Sequence, residues 1–203
     1  NFFKAINEPV RHIMNREVFS VHTSAKISDA IDMMVENKLG GLPVVDEEGR
    51  VWAIITERDI ITIFGGMISG AKVSNLMSRK VVTATPETSI LEAEKSMIRR
   101  GFRRLPIVSE GKLVGIVTVM DILRFFGSGK VFQHLRSGTI DQVLQTPVIE
   151  TAVKDVVTVG RNVDVGEAAQ LMWDRGIGAL PVVENEKLVG IITERDFFKL
   201  IAT

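Results

Sequence analysis

The sequence predicts an α+β fold built from three copies of a β-α-β-β-α unit. A Leu-Pro dipeptide, followed by Val- and Ile-rich segments and a Thr-x-x-Asp tetrad, occurs three times, beginning at Leu42, Leu105 and Leu180. Aligned at Ile27, Ile90 and Val165, the three copies need no gap for nineteen residues, a stretch that includes the Leu-Pro dipeptides. The repeat is used to assign the fold before local secondary-structure patterns are considered, because each copy is expected to form the same structural unit.

The aligned segment before each Leu-Pro predicts an amphipathic helix. Small and apolar residues recur at i, i+3, i+4 and i+7, which is one face of a helix. These residues are Ile27, Ala30, Ile31 and Met34 in copy one, Ile90, Ala93 and Met97 in copy two, and Val165, Ala168, Ala169 and Met172 in copy three. Proline disfavours a helix interior and fits the start of an edge strand, so each helix should end before its Leu-Pro.

Two strands and a second helix are expected after each Leu-Pro. The strand pairs are Leu42–Val45 with Val51–Ile55, Leu105–Val108 with Leu113–Val117, and Leu180–Val183 with Leu188–Ile192. Short polar loops link the paired strands, as in β-hairpins. A further strand is predicted upstream of each first helix, at Val18–Val21, Val81–Ala84 and Val156–Val159. Each unit would then be a small sheet packed on two helices.

The linkers predict which copies pair. A unit of roughly sixty residues is small for independent stability, so the units are expected to dock in pairs. We place the copies at 8–68, 69–128 and 129–203, the last including a long linker, and expect the second and third to form a pair. Because the chain starts at Asn1 and a similar linker tail precedes copy one, we expect copy one to pair with an upstream fourth unit or with another chain.

Composition argues against several classes of function. Lysine plus arginine equal aspartate plus glutamate at 25 each, so net charge draws the chain neither to nucleic acid nor to an anionic membrane. No apolar run approaches the roughly 20 residues of a membrane span. The absence of cysteine excludes disulfides and thiolate ligands and suits a cytoplasmic protein. The three histidines are scattered, and no metal site is expected.

The Thr-x-x-Asp tetrads have two interpretations. They could be helix caps, in which Thr and the acidic residue bond each other's backbone amides. A capping box usually has Glu or Gln, however, and all three tetrads have the shorter Asp. Each tetrad also lies where a strand turns into a helix, and helix N-termini attract anions. A carboxylate there is placed to accept two ribose hydroxyls, and the two roles can coexist.

Two arginines distinguish the second copy. Arg103 and Arg104 lie in the loop before the central strand. The other copies have small residues at these positions, namely Gly40, Gly41, Gly178 and Ala179. Since the fold tolerates small neutral residues there, two guanidiniums indicate a bound anion, and arginine meets phosphate bidentately. A solvent-exposed pair of charges is the alternative.

The three units resemble CBS domains, which pair into Bateman modules. The resemblance rests on the β-α-β-β-α order, the central Leu-Pro-Val-Val, the Gly-Ile-x-Thr strand end and the Asp that follows, and it covers essentially the whole chain. The linker pattern and the Asn-Glu-Pro-Val and Phe-Arg-Arg-Leu-Pro stretches look most like archaeal four-CBS proteins. Those proteins are related to the γ subunit of AMP-activated protein kinase.

The resemblance implies a set of nucleotide-binding residues. In the family the tetrad residues hold ribose and lie near phosphate, which selects Thr56, Asp59, Thr118, Asp121, Thr193 and Asp196. Basic residues at the positions of Arg103 and Arg104 face phosphate. The adenine contacts correspond to Phe102, Ile116, Ile177 and Ile191, with Gly40, Gly41, Gly178 and Ala179. The ends of the upstream strands complete the set with Ser20, Thr83, Ala84, Thr158 and Val159.

The sequence therefore predicts a non-catalytic regulatory module that binds AMP, ADP or ATP between paired units and requires no cofactor. The repeats account for the chain and assemble no acid, base and nucleophile, so we expect no enzyme. One alternative is a different adenosyl ligand, such as S-adenosylmethionine, and another is a ligand-free assembly module. The expected partners are a nucleotide and a regulated enzyme, kinase or transporter, in a homo-oligomer or beside an upstream CBS repeat.

Overall fold

The first repeat folds around a three-stranded sheet. The structure, a computed structural model, describes residues 7–64, 67 and 69–202. Strand β1 (Val21–His22) pairs in parallel with β2 (Gly41–Val45), which pairs antiparallel with β3 (Val51–Thr56). Helix α1 (Ile27–Glu36) connects β1 to β2, and α2 (Glu57–Phe64) follows β3 directly. This is the β-α-β-β-α order that the sequence predicts.

The second repeat follows a short helix and has the same order, except that its upstream segment forms a single bridge in place of a strand. Its elements are α3 (Val73–Leu76), α4 (Ile90–Arg100), β4 (Arg104–Ser109), β5 (Lys112–Thr118) and α5 (Val119–Phe126). Ser89 caps α4, because its Oγ accepts from the Glu92 N–H at 3.2 Å and Glu92 Oε2 accepts from the Ser89 N–H at 3.3 Å. Gly101 ends the helix in the left-handed region, with φ of 69°.

Two linker helices lead to the third repeat. The elements from here on are α6 (Gly129–Ser137), α7 (Ile140–Leu144), α8 (Val165–Arg175), β6 (Ala179–Glu184), β7 (Lys187–Thr193) and α9 (Glu194–Ile201). The strands of the second and third repeats form one four-stranded sheet of order β4-β5-β7-β6. Strands β5 and β7 are antiparallel neighbours at Lys112 and Lys187.

The upstream strands are shorter than the sequence predicts. Strand β1 has two residues, and Ala84 and Val159 form single parallel bridges to β4 and β6. The Ala84 N–H donates to the Pro106 carbonyl at 2.9 Å, and the Ala84 carbonyl accepts from the Val108 N–H at 2.9 Å. The next bond of this ladder would need the N–H of Pro106, which proline lacks. The Leu-Pro that opens each central strand therefore stops the pairing of the upstream segment.

Two compact units divide the chain, and they do not coincide with the repeats. The first comprises the described parts of Asn1–Met77, Asn162–Leu180 and Ile192–Thr203, and the second comprises Ser78–Arg161 and Pro181–Ile191. The core of the first unit contains Val21, Ala30, Ile31, Met34, Leu42, Ile60 and Phe198. The core of the second contains Ala84, Ile90, Ala93, Met97, Leu105, Ile107, Val117, Ile122 and Val148. The alanines and methionines of the predicted helix faces are buried in all three repeats, which confirms that part of the prediction, but Ile27 at the start of α1 is 41% exposed.

The end of the second hairpin strand is covered in the second repeat and open in the first. Ile116 exchanges two backbone hydrogen bonds with Val153, at 2.9 and 3.0 Å. A Cβ on Gly115 would lie 3.2 Å from the Val153 carbonyl, so the close approach favours glycine. The first repeat has Ala53 at this place, and it exposes the large apolar side chains of Val51, Trp52 and Ile54. Strand β3 therefore presents an apolar surface to solvent.

Asp46 organises the hairpin loop that precedes this surface. Its carboxylate accepts from the Arg50 N–H and Nε, both at 2.8 Å, and from Trp52 Nε1 and the Glu48 N–H, both at 3.0 Å. Desolvation raises the pKa of Asp46, but the bonds from Arg50, Trp52 and Glu48 together lower that pKa below its ordinary value. The ionised carboxylate is thus the form that these four donors favour.

The turn that follows helix α1 has Lys38 in a conformation that suits glycine. Lys38 has φ of 55°, where the other two copies have Gly101 at 69° and Gly176 at 62°. A side chain in the left-handed region strains the backbone. We expect Lys38→Gly to raise the free energy of unfolding by about 0.5–1 kcal/mol, measured by urea denaturation. Gly101→Lys is the matched control and should lower it by a similar amount, whereas equal stabilities would contradict the strain at Lys38.

Candidate functional site

The same backbone hydrogen bond joins the loop before the central strand to the start of the second helix in all three repeats. The N–H of Glu57 donates to the Gly40 carbonyl at 3.1 Å, and the N–H of Val119 donates to the Arg103 carbonyl at 2.9 Å. In the third repeat Glu194 and Gly178 make the same bond at 3.0 Å. Across the strand pairs, Gly41 lies opposite Thr56, and Arg104 lies opposite Thr118. The predicted loop and tetrad residues are therefore neighbours in each repeat.

All three tetrads form the cap that the sequence left as one interpretation. Asp121 Oδ2 accepts from the Thr118 N–H at 2.8 Å and from Thr118 Oγ1 at 2.9 Å, while the Asp121 N–H donates to Thr118 Oγ1 at 3.1 Å. The pairs of Thr56 with Asp59, and of Thr193 with Asp196, repeat the two bonds to Oδ2 at 2.8–3.1 Å. The argument that Asp is too short for this box was wrong, because the extended Thr brings its own N–H to the carboxylate.

The cap uses one oxygen of each carboxylate. In the second repeat the other oxygen, Asp121 Oδ1, lies 3.5 Å from the exposed Arg124 guanidinium, which follows on the same helix. Asp121 is largely enclosed, with 9% of its side chain exposed. The backbone amides at the start of α5 and this guanidinium are positive groups close to the same carboxylate. A tetrad can thus cap its helix and still offer Oδ1 to a hydroxyl donor.

The two candidate phosphate ligands differ in their surroundings. Arg103 is exposed, whereas Arg104 is half-buried at the start of β4. Because the Arg103 carbonyl is bonded to the N-terminus of α5, its backbone position is fixed relative to Asp121. The predicted guanidinium pair and the predicted ribose carboxylate therefore belong to one local structure in the second repeat.

The candidate adenine residues lie just after the first helices and on the second hairpin strands of the second and third repeats. Phe102 follows the left-handed Gly101, its N–H donates to the Met97 carbonyl at 3.0 Å, and 45% of the residue is exposed. Ile177 repeats that bond with Met172 at 3.0 Å. Ile116 and Ile191 are half-buried on β5 and β7. An exposed aromatic ring in such a fixed position has surface available for a flat ligand.

The remaining candidates divide into buried and accessible groups. Ala84 and Val159 are buried, and their backbone groups are used by the bridges to the central strands. Thr83 is exposed, while Ser20 and Thr158 are half-buried. A Cβ on Gly41 would lie 3.2 Å from the Ile55 carbonyl, so the strand pair itself favours glycine there. Of these residues Gly41 lies opposite a tetrad Thr, and the structure gives Ala84, Val159 and Gly41 clear packing roles.

Two ion pairs in the first unit were not anticipated from the sequence. Arg195 lies 2.7 Å from Glu57, and the Arg58 Nε donates to Glu194 Oε1 at 2.7 Å. The Glu-Arg dipeptide follows the tetrad Thr in the first and third repeats, where the second has Val-Met. The presence of Glu-Arg in the first and third repeats alone was a signal in the sequence. It could be interpreted only once the structure showed which two helices dock.

Other site types find no support in the described part of the chain. No group of three His, Cys, Asp or Glu side chains there is arranged to hold a metal ion. Among the same residues, no helix combines the length and the apolar character needed to cross a bilayer.

Comparison with known proteins agrees with the fold and the repeats. The CBS domain family matches residues 10–66, 73–128 and 148–203. Protein MJ1225 of Methanocaldococcus jannaschii is 39% identical over all of this chain and 73% of its own length. Its crystal structure, described as that of a proposed archaeal homologue of g-AMPK, has a TM-score of 0.93 over 99% of this chain.

Two further proteins extend the comparison. A 33.4 kDa protein of Thermofilum pendens is 37% identical over 96% of this chain and 65% of its own length. The CBS domain pair of protein MJ0100, solved with 5′-methylthioadenosine and S-adenosyl-L-methionine, is 31% identical, with a TM-score of 0.52 over 64% of this chain and 95% of that pair. With three matched domains and the repeats that its strands, helices and tetrads define, the chain belongs to the CBS-domain family.

Proposed function

We propose that the chain is a non-catalytic regulatory module that binds adenine nucleotides (AMP, ADP or ATP) at its tetrads. The observation that carries this proposal is the local structure of the second repeat, where Asp121 caps α5 with one carboxylate oxygen and two arginines flank the same junction. The complex of MJ0100 with two adenosyl compounds supports an adenosyl ligand for a CBS pair. The similarity to MJ1225 supports a regulatory role.

The proposed ligand uses three parts of the junction. Its ribose hydroxyls donate to Asp121 Oδ1, because Oδ2 is occupied by Thr118. Its phosphate accepts from Arg103 and Arg104, since charge-assisted bonds to guanidinium are strong and bidentate. Its adenine packs on Phe102 and Ile116, which are accessible apolar side chains. The corresponding residues of the third repeat form a second candidate site that lacks the arginines.

Pairing of the second and third repeats is part of the proposal. Its support is the four-stranded sheet, in which β5 and β7 are adjacent. It is also supported by two equivalent backbone exchanges, between Ile116 and Val153 and between Ile191 and Ser78, at 2.9–3.0 Å. Each exchange joins a strand of one repeat to the segment that leads into the other. A ligand that contacted both repeats would favour the arrangement in which these bonds are formed.

A second candidate function is the binding of another adenosyl ligand, such as S-adenosylmethionine. The MJ0100 complex favours it, because that CBS pair binds this compound. The tetrad Asp and the apolar slot would serve both ligands, but a sulfonium cation gains nothing from Arg103 and Arg104. A third candidate is a ligand-free assembly module, which the complete capping boxes favour, since they satisfy the helix ends unaided. In every case we propose a cytoplasmic protein whose partner is a regulated enzyme, kinase or transporter.

Thermal unfolding in the presence of ligands tests the proposed function. We expect AMP or ATP to raise the melting temperature, because a ligand that binds only the folded state stabilises it by mass action. At a ligand concentration of about 100 times Kd the gain is about 2.7 kcal/mol. S-adenosylmethionine and adenosine are measured alongside, and a larger shift with S-adenosylmethionine would favour the second candidate. No shift with any of these ligands at millimolar concentration would favour the assembly module.

Asp121→Ala separates capping from ligand binding. We expect nucleotide affinity to fall by about 1.5–3 kcal/mol, the scale of a hydrogen bond to a charged group, as measured by calorimetric titration. Loss of the cap should lower the free energy of unfolding by about 1 kcal/mol. Ser89→Ala is the matched control, because it removes a capping box from α4 without altering a tetrad. If both variants lose equal stability and neither loses affinity, Asp121 acts as a cap alone.

The double variant R103G/R104A tests the phosphate contacts. Because the third repeat has Gly178 and Ala179 at these positions, the fold should survive the exchange. We expect AMP affinity to fall by roughly 1.5–3 kcal/mol for each well-formed bond and to become less dependent on salt, while adenosine affinity changes little. Isothermal titration at two ionic strengths measures both ligands. Equal losses for AMP and adenosine would show that the arginines shape the pocket instead of holding the phosphate.

A further inference from the structure

The sixth and tenth residues of the first helix carry opposite charges in the first and second repeats. They are Lys95 and Arg99 in α4, and Asp32 and Glu36 in α1. Residues four apart lie side by side on one helix face. All four residues are exposed, and none forms an ion pair with another described residue. The same helix positions are therefore positive in one repeat and negative in another.

An apolar residue lies beside each charged pair. Ile98, the ninth residue of α4, is 72% exposed, and its counterpart Val35 in α1 is half-buried. Each helix thus presents two like charges together with an apolar side chain that a partner can reach. We call Lys95, Ile98 and Arg99 the α4 face, and Asp32, Val35 and Glu36 the α1 face.

The third repeat shows that packing between repeats leaves this face open. Its strand β7 is adjacent to β5 of the second repeat, and its helix α9 is joined to α2 by the ion pairs Glu57–Arg195 and Arg58–Glu194, the α2–α9 contact. Helix α2 also packs against α8. Although the third repeat has both kinds of neighbour, the sixth, ninth and tenth residues of α8 are exposed, namely Gln170, Trp173 and Asp174. These positions are therefore open to solvent even in a repeat that has both neighbours.

The stability of the helices explains Arg99 but not Glu36. Cations near the C-terminus of a helix interact favourably with its dipole, and anions there do not. Arg99 lies in the last turn of α4, whereas Glu36 is the last residue of α1, whose final turn has no basic residue. Glu36 thus opposes the dipole of its own helix, and a cation supplied by a partner would offset that cost.

We propose that the α4 face of one copy of the protein binds the α1 face of a second copy. The two faces carry the same number of charges at the same spacing, with opposite sign. Charge complementarity of this kind favours one partner and excludes others, because like charges brought together cost several kcal/mol. An α4 face cannot bind another α4 face for the same reason.

The spacing of the charges fits an antiparallel crossing of the two helices. When the helices cross at the apolar residue of each face, Glu36 falls between Lys95 and Arg99, because all three lie within one turn of the crossing point. Asp32, one turn further along α1, falls on the other side of Arg99. Cations and carboxylates then alternate along the contact. Antiparallel helices also place opposite ends of their dipoles side by side.

A second copy fits the α4 face better than nucleic acid or an anionic membrane. The positive charge of α4 begins only at Lys95, because Glu92 and Glu94 precede it. Nucleic acid binding uses several phosphate contacts along a longer surface, and binding in a membrane interface needs a broader apolar face. The α4 face offers a short row of charges and one apolar residue, which is the size of the α1 face.

The α1 and α4 faces are different surfaces, so the contact is heterologous. A dimer leaves one face of each kind unused, and association then continues to larger species unless a ring closes. A few charge pairs and one apolar residue on each side form a small interface. We therefore expect weak, reversible association that depends on protein concentration and weakens with salt.

Sedimentation equilibrium of the 203-residue protein tests this proposal, over protein concentrations from about 1 μM to 1 mM. We expect association at about 0.1 M salt that is largely lost at about 1 M, where the Debye length falls from about 10 Å to about 3 Å. The double variants K95E/R99E and D32K/E36K each place like charges opposite each other. Each should raise the dissociation constant by at least about 30-fold.

The quadruple variant D32K/E36K/K95E/R99E gives the decisive comparison. It exchanges the charges of the two faces and leaves the net charge of the chain unchanged. We expect its dissociation constant to lie within about threefold of the original, because every pair is restored with reversed polarity. Circular dichroism checks that all variants fold, as expected for exposed positions. A quadruple variant that associates no better than the double variants would overturn the proposed contact.

A control on the exposed apolar surface of β3 distinguishes the two kinds of interface. Ile54→Arg alters that surface and should leave the association intact. If Ile54→Arg abolishes association while both double variants retain it, the β3 surface is the interface and the proposal is wrong. A monomer at every concentration at low salt also overturns it.

Discussion

The junction between the second hairpin strand and the helix that follows it is the element on which each repeat depends. At this junction the Asp carboxylate accepts both the N–H and the hydroxyl of the Thr, and the first helical N–H bonds the carbonyl of the loop before the central strand. These bonds set the helix direction and the position of the loop at the same time. Arg103, Arg104, Thr118 and Asp121 of the second repeat belong to that assembly.

Because the junction fixes the backbone, single side chains decide what each copy can contact. A glycine at position 115 allows the Val153 backbone to approach β5, while Ala53 stands at an open place on β3. Glu-Arg after the Thr gives paired charges between α2 and α9, while Val-Met leaves α5 apolar. Arg103 and Arg104 give the second copy a local positive charge that the other copies lack. The repeats share a fold and differ in their surfaces.

The sequence predicted structural features that are determined within one repeat better than features that depend on contacts between two repeats. Period and alignment predicted the buried faces of the first helices, because burial there is settled within the unit. The upstream strands were predicted too long, since Pro106 was considered as the end of a helix and the start of an edge strand, and its missing N–H was not applied to the upstream pairing. The pairing of Arg58 with Glu194 joins residues 136 apart in sequence and could not be inferred without knowing which helices meet. The ligand-binding role of the tetrads stays a prediction, because a cap and a ligand site use the same residues.

The position of the ion pairs links the helix contact to the tetrads. Asp59 and Asp196 directly follow Arg58 and Arg195 along the chain, so a group that binds either carboxylate acts within one turn of the α2–α9 contact. The first helical turns cannot shift without lengthening two ion pairs, one of which involves the buried Glu57. A ligand changes this contact only if its affinity differs between two arrangements of the helix starts. The capping bonds to Oδ2 hold the helix starts in one such arrangement without ligand. A ligand bound to Oδ1 would stabilise that same arrangement. In the first unit, ligand binding would therefore stiffen a contact that already exists instead of creating one.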